Sequence, residues 1–293
     1  HKFSAGITAA SSTIGPVVPP SIPFVVFSSV TGVSVARLFA AGFIPGFLMA
    51  LAMAVCVYII SKRKKFPVSP RMPWKLRLTY FWKAIPSLMT IVIIIGGIWG
   101  GFFTATEAAI VASVYALILS CLVYKEVKWK QLGRIVYDSL ITSCKTLFII
   151  AIANFLAYFM IHQRIPNQII EGLMSVTTDP SALILMMVFV LIVLGMFLEG
   201  ISVILIVTPI FLPIVDAIGM SYIQFGVIMV LASMIGLLTP PVGMSLYAVS
   251  SVTNVKLMAL SKEVLPYVIG ILVVLLLCAF WSPLSMWLPG LIG

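Results

Sequence analysis

Apolar residues run through this chain in stretches of about 20, the length a helix needs to cross the hydrocarbon core of a bilayer. Short loops carrying most of the charge separate those stretches. Of the 293 residues, 62% are hydrophobic and 9% are charged, against about 45–50% and about 25% in soluble domains. A soluble enzyme, a nucleic-acid-binding domain and a disordered chain are excluded on that ground. The fold class is an all-α polytopic membrane protein. At about 30 residues per span and loop, the chain has room for about eight to ten membrane segments.

The net charge is +10, from 18 Lys+Arg and 8 Asp+Glu. In a membrane protein such an excess marks basic loops that set orientation, not a nucleic-acid partner. The first apolar stretch, Phe3 to Val30, is interrupted by Gly15 to Pro20, and the second runs from Leu38 to Ile60. A basic segment follows, Lys62 to Lys83, mixed with Trp74, Tyr80, Phe81 and Trp82, and reads as a helix at headgroup level. Spans are predicted at Ile85–Phe103, Ala105–Tyr124 and Ser139–Ile161. Thr104 as N-cap and Glu107 three residues on form a capping box that opens the second of these. Beyond a surface helix over Pro166–Met174 lie a double apolar unit, Ser181–Ile218, a span Tyr222–Ser251 broken at Gly236–Gly243, and a last span Val264–Leu288.

The loops at 62–83, 125–134 and 256–262 hold 14 of the 18 basic residues. All three fall on one side if each span crosses once and 181–218 returns to its starting side, and that side is cytoplasmic. The arms of 181–218 are short for crossing, and their turn at Leu198-Glu199-Gly200 lacks the Lys or Arg of the other cytoplasmic loops. They read as a re-entrant hairpin with its tip at Gly195–Ser202. Two full spans are the alternative.

Ile14-Gly15-Pro16-Val17-Val18-Pro19-Pro20 lies over Ile235-Gly236-Leu237-Leu238-Thr239-Pro240-Pro241 as I-G-x-x-x-P-P. Ser28-Ser29-Val30-Thr31 matches Ser250-Ser251-Val252-Thr253. The charge argument sends the two segments across the membrane in opposite directions, which is the mark of an inverted repeat and of a secondary transporter. Proline removes a helix donor, and in lipid the freed carbonyl needs another partner. A cation such as Na⁺ serves, while the N-terminus of the resumed half-helix favours a carboxylate. A single such break is more often a packed kink; two matched breaks shift the balance to a site. The ion-site candidates are Gly15, Val18 and Pro20 in the first break, Gly236, Thr239 and Val242 in the second, and Gly195 at the hairpin tip. Ser11, Ser12, Thr13, Glu199, Gly200 and Ser202 are the candidates for contact with substrate.

Other polar residues have plainer readings. Glu107 is a cap, Lys145 snorkels to the interface, and Asn154 serves a helix–helix hydrogen bond or the site. Cys56, Cys121, Cys144 and Cys278 lack metal-ligand spacing. With two histidines in the chain and no paired acid or Ser/Lys/His arrangement at the span centres, an intramembrane enzyme is a weak reading. A channel-like or structural component without ion coupling is the stronger rival.

At Ser11–Pro23, Gly100–Leu117 and Ile235–Val252 the sequence resembles the large, DctM-like membrane subunit of tripartite ATP-independent periplasmic (TRAP) transporters, and the resemblance runs through the whole chain. It implies an elevator-type, ion-coupled fold with two re-entrant hairpins and two broken helices. Residues 1–60 would then belong to the transport domain, 61–180 to scaffold spans and arm helices, 181–251 to the second hairpin and second broken helix, and 252–293 to a C-terminal span. It implies Na⁺-coupled import of an organic acid across a bacterial inner membrane. A periplasmic binding protein would deliver the substrate, and a small four-helix membrane subunit, separate or fused, would brace the scaffold. It also implies a first hairpin just before His1, in keeping with a chain that opens without Met. Family members vary at the position of Glu199.

Overall fold

The computed structural model describes residues 2–66, 72–164, 168, 172, 177 and 179–292, side chains at 153, 154, 156, 157, 160 and 161 excepted. Most of the surface helix expected over Pro166–Met174, and the side chain of Asn154, lie outside the described residues. Helices account for the fold, and no strand occurs among the described residues. Among the described residues, seven helices are long and apolar enough to span a membrane. The chain divides into two compact units, His1–Arg63 with Ile150–Gly293, and Lys64–Ile149.

The first unit opens with a broken pair, α1 (Lys2–Ser11) and α2 (Ile22–Thr31), followed by the long α3 (Val35–Lys64). Numbering the second unit's helices α4 to α6 in chain order, the first unit resumes with α7 (Pro180–Phe197), α8 (Gly200–Ala217), α9 (Tyr222–Leu237), α10 (Met244–Thr253), α11 (Leu257–Phe280) and α12 (Pro283–Ile292). At its centre is α9, buried from Ile223 to Gly236 and packed against α7, α8, α11, α12 and α2. Its sequence is apolar on every face, as a helix surrounded by protein requires. Gln224 adds a polar anchor: its Nε2 donates to the carbonyls of Cys278 (3.0 Å) and Ala279 (3.1 Å) at the end of α11.

Small residues set the close approaches, as they do where lipid removes any hydrophobic drive between helices. A methyl on Gly226 of α9 would strike Phe27 of α2 and Leu38 of α3. Outward faces are apolar and exposed, with Phe47, Leu51 and Val55 on α3 and Leu265, Ile269, Val273 and Leu277 on α11. Each set repeats every four residues and so forms one exposed apolar stripe along its helix.

In the second unit, α4 (Trp74–Trp99) packs on α5 (Ala105–Ile118), which runs on through a π turn at Leu119–Val123. The first part of α6 (Trp129–His162) completes it. Thr104 and Glu107 form the expected capping box: the Thr104 N–H donates to Glu107 Oε2 (2.8 Å) and the Glu107 N–H to Thr104 Oγ1 (3.3 Å). Tyr115 donates to the Pro86 carbonyl at 2.9 Å, tying α5 to α4.

Two sequence boundaries are corrected. The aromatic and basic segment before Lys83 is no separate surface helix, because from Trp74 it is continuous with the span. No Gly or Pro interrupts it before Pro86, so the helix has no reason to stop at the interface. The last span is not continuous to Leu288: it ends at Phe280 and a new helix starts at Pro283, a residue suited to a first turn.

Candidate functional site

Both Gly/Pro segments interrupt their helices, α1 after Ser11 and α9 after Leu237. They share one turn bond but not the next, since the Val18 N–H returns to the Ile14 carbonyl (2.9 Å) and the Thr239 N–H to the Gly236 carbonyl (3.0 Å). The Val17 N–H donates to the Ile14 carbonyl at 3.0 Å, and the Leu238 N–H to the Ile235 carbonyl at 3.1 Å. Pro19 and Pro20 bring no N–H to the carbonyls of Gly15 and Pro16 one turn back, and Pro240 and Pro241 withhold theirs from Gly236 and Leu237. Ser21 Oγ, also the N-cap of α2, takes up the Pro16 carbonyl. Pro19–Pro20 and Pro240–Pro241 are both cis.

The likeness continues through the half-helices that follow. Ser28 and Ser250 each donate to the carbonyl five residues on, Val33 and Val255. Ser29 and Ser251 donate three residues back, to Val26 (2.7 Å) and Ala248 (2.8 Å). Thr31 and Thr253 donate four back, to Phe27 (2.8 Å) and Val249 (2.7 Å). Gly32 and Asn254 then end α2 and α10 in the left-handed region, at φ 71° and 56°. Asparagine is the residue that most often replaces glycine there.

The second break is covered by the α7–α8 hairpin, whose tip turns at Leu198–Glu199. A methyl on Gly236 would overlap the Gly195 backbone, and one on Gly195 would crowd Gly236 and Ser233. The Gly243 N–H donates to the Met196 carbonyl at 3.3 Å. Gly200, at the head of α8, lies beside Ser233 and Met234. Gly195, Gly200 and Gly236, proposed from separate stretches of sequence, are therefore gathered at one place. Thr239 is half-buried and donates to the Ile235 carbonyl at 2.7 Å, leaving its oxygen lone pairs available. Val242 and Glu199 are exposed and Ser202 is half-buried.

The first break is cradled from another side. Gly42 and Gly46 of α3 admit it: a methyl on Gly42 would strike the Val17 carbonyl, and one on Gly46 the Val18 side chain. Gly15 and Pro20 are exposed. Of the three hydroxyl residues before this break, Thr13 is buried and donates to the Ala10 carbonyl (2.7 Å), while Ser11 is exposed and bonds within α1. Ser12 alone reaches the other repeat, its Oγ lying 2.9 Å from Ser245 Oγ near the start of α10.

Sequence reading missed four contributors. Gly42 and Gly46 stood in plain view as G-x-x-x-G. Ser233 aligns with Ser12, three residues before the glycine of each break, and extends the repeat motif. Ser245 had no local signal.

The family model for the tripartite ATP-independent periplasmic transporter DctM component matches residues 1–284. The chain belongs to that family. A C4-dicarboxylate TRAP transporter large permease protein of Pseudomonas aeruginosa is 37% identical over the whole chain and 69% of its own length. The sialic acid TRAP transporter large permease protein of Vibrio cholerae is 35% identical over 99% of the chain and 68% of its own length. The isethionate TRAP transporter permease protein DctMQ of Oleidesulfovibrio alaskensis is 37% identical over 98% of the chain and 46% of its own length. The DctM-family chain is thus a transport protein and not an enzyme. Its apolar helices and bacterial relatives make it a multi-pass inner-membrane protein.

Proposed function

We propose that this chain is the permease subunit of a Na⁺-coupled importer of an organic acid. The observation that carries the reading is the pair of broken helices whose following half-helices share their hydroxyl bonds, the second break lying under a hairpin tip. Released carbonyls at Gly15, Val18 and Pro20 serve one Na⁺. The Gly195, Gly236 and Val242 carbonyls with the Thr239 hydroxyl serve another. Neutral oxygens of this kind suit a hard cation. The half-helices α2 and α10 begin beside the breaks, and their N-terminal ends favour the substrate carboxylate. Ser11, Ser12, Thr13, Glu199, Gly200 and Ser202 frame that substrate.

The hairpin is re-entrant in this reading. Its arms are 18 residues each, and its tip rests on the interruption of a helix that breaks within its own crossing. The two breaks run in opposite directions, and the block that holds them moves as an elevator. Relatives named for C4-dicarboxylate, sialic acid and isethionate transport point to a small organic anion as cargo. A periplasmic binding protein delivers it, and a small four-helix subunit braces the permease. The low share of the DctMQ protein that is matched fits fusion of that subunit in some relatives.

Reconstituted uptake tests the reading. Uptake should need an inward Na⁺ gradient and the periplasmic protein; uptake indifferent to both leaves a channel-like component instead. Thr239→Val keeps the volume and removes the hydroxyl. It should raise the Na⁺ concentration for half-maximal uptake several-fold with normal membrane insertion, and an unchanged Na⁺ dependence removes Thr239 from the ligand set.

A further inference from the structure

We propose that the Ala9 carbonyl and the Ser12 and Ser245 hydroxyls form one face of an additional monovalent-cation site, shared by the two repeats. The inference rests on the Na⁺-coupled reading and adds a site to it.

The three oxygens form a small triangle. Ser12 Oγ is 2.8 Å from the Ala9 carbonyl oxygen and 2.9 Å from Ser245 Oγ, and Ser245 Oγ is 3.3 Å from the Ala9 oxygen. Each serine has one hydroxyl proton, so two protons serve the three edges and both are used inside the triangle. The faces turned outward are therefore lone pairs, with no proton left for an anion unless an existing bond breaks. A cation meets those lone pairs without breaking any. Edges of this length suit three ligands on one face of a hard cation held at about 2.4 Å. No carboxylate belongs to the triangle, and three neutral oxygens suit a monovalent ion better than a divalent one. Ser12 is exposed and Ser245 half-buried, leaving room for water or a substrate carboxylate to complete the shell.

Two further observations favour positive charge here. Ala9 lies in the last turn of α1, the end of a helix where unpaired carbonyls gather partial negative charge. The segments that form the breaks and the tip, 11–23, 195–202 and 236–245, contain no Lys, Arg or His, whereas the tip carries Glu199. An organic anion bound among them meets no cationic side chain from these segments. An ion held by Ser12 and Ser245 supplies that charge next to the N-terminal end of α10. It also ties the order of events to chemistry: with the ion in place, the carboxylate has a counter-charge.

Equilibrium binding of ²²Na⁺ to the purified full chain, in excess K⁺, tests the site. Ser12→Ala and Ser245→Ala should each bind one Na⁺ fewer per chain than wild type, and Ser245→Thr, which keeps the hydroxyl, should restore it. Thr239→Val should lose a different ion, so that the Ser245→Ala, Thr239→Val double variant loses two. Gel filtration and thermal melting verify that the variants are folded. Wild-type stoichiometry and affinity in both serine variants overturn the triangle as a site while leaving Na⁺ coupling intact. A wild-type chain that binds no Na⁺ overturns the Na⁺-coupled reading, and the triangle with it.

Discussion

The two broken helices differ in what covers them and share much of how their half-helices are built. Gly236 is buried against the Gly195 backbone, whereas Gly15, its counterpart, is exposed and a methyl there would meet nothing nearer than the Ser12 carbonyl at 3.8 Å. Yet one turn bond coincides, from Val17 to Ile14 and from Leu238 to Ile235, although the next goes to Ile14 from Val18 and to Gly236 from Thr239. The hydroxyl bonds of Ser28 and Ser250, Ser29 and Ser251, Thr31 and Thr253 all coincide. The shape of the break is thus encoded locally, by prolines that withhold donors and hydroxyls that take up carbonyls. The cover is a separate, tertiary matter, decided by which residue is small enough to be approached.

That separation is open to attack. The largest effect belongs to the covered glycine. Gly236→Ala should destabilise the folded protein by about 1–3 kcal/mol, the usual cost of overpacking, because backbone rather than a flexible side chain stands in the way. Gly15→Ala should stay within about 0.5 kcal/mol, since a methyl there meets only the Ser12 carbonyl, at ordinary contact distance. Thermal melting in detergent compares the pair, and equal losses would break the contrast.

A smaller loss, about 1 kcal/mol, is expected for Gly46→Ala, since the obstructing group is the Val18 side chain and that can shift. Adding Val18→Ala should recover most of the loss, and a double variant no better than the single one would show that the α3 cradle is not what seats the first break. Smallest is the matched pair Ser28→Ala and Ser250→Ala. Each removes one hydrogen bond to a carbonyl five residues on and should cost about 1 kcal/mol or less. If the breaks are locally encoded the two losses agree; a several-fold disparity would tie the turn to its cover.

The sequence made the breaks legible because proline and glycine act on their own backbone, within a turn of where they stand. It made the capping box legible for the same reason: Thr104 and Glu107 are three residues apart. Helix ends were harder. The interface around Trp74–Lys83 looked like a boundary because its composition changes, but composition does not end a helix where no breaker stands. Ser245 was invisible because its partners, Ala9 and Ser12, lie more than 230 residues away. Gly42 and Gly46 were visible as a motif, though nothing nearby names Val17 and Val18 as what they admit. Recognition of the family rested on the same locally acting segments, and that is why it succeeded where side-chain partnerships could not be read.

The burial of α9 bears on the membrane itself. From Ile223 to Gly236 this helix shows no residue to lipid, so a shift of its unit along the membrane normal leaves its surroundings unaltered. The mismatch between hydrophobic length and bilayer thickness, worth fractions of a kcal/mol per Å, would fall instead on exposed apolar stripes such as those of α3 and α11. Were the unit to move as proposed, bilayer thickness would bias its position through Phe47, Leu51, Ile269 and Val273 without touching the geometry of either break.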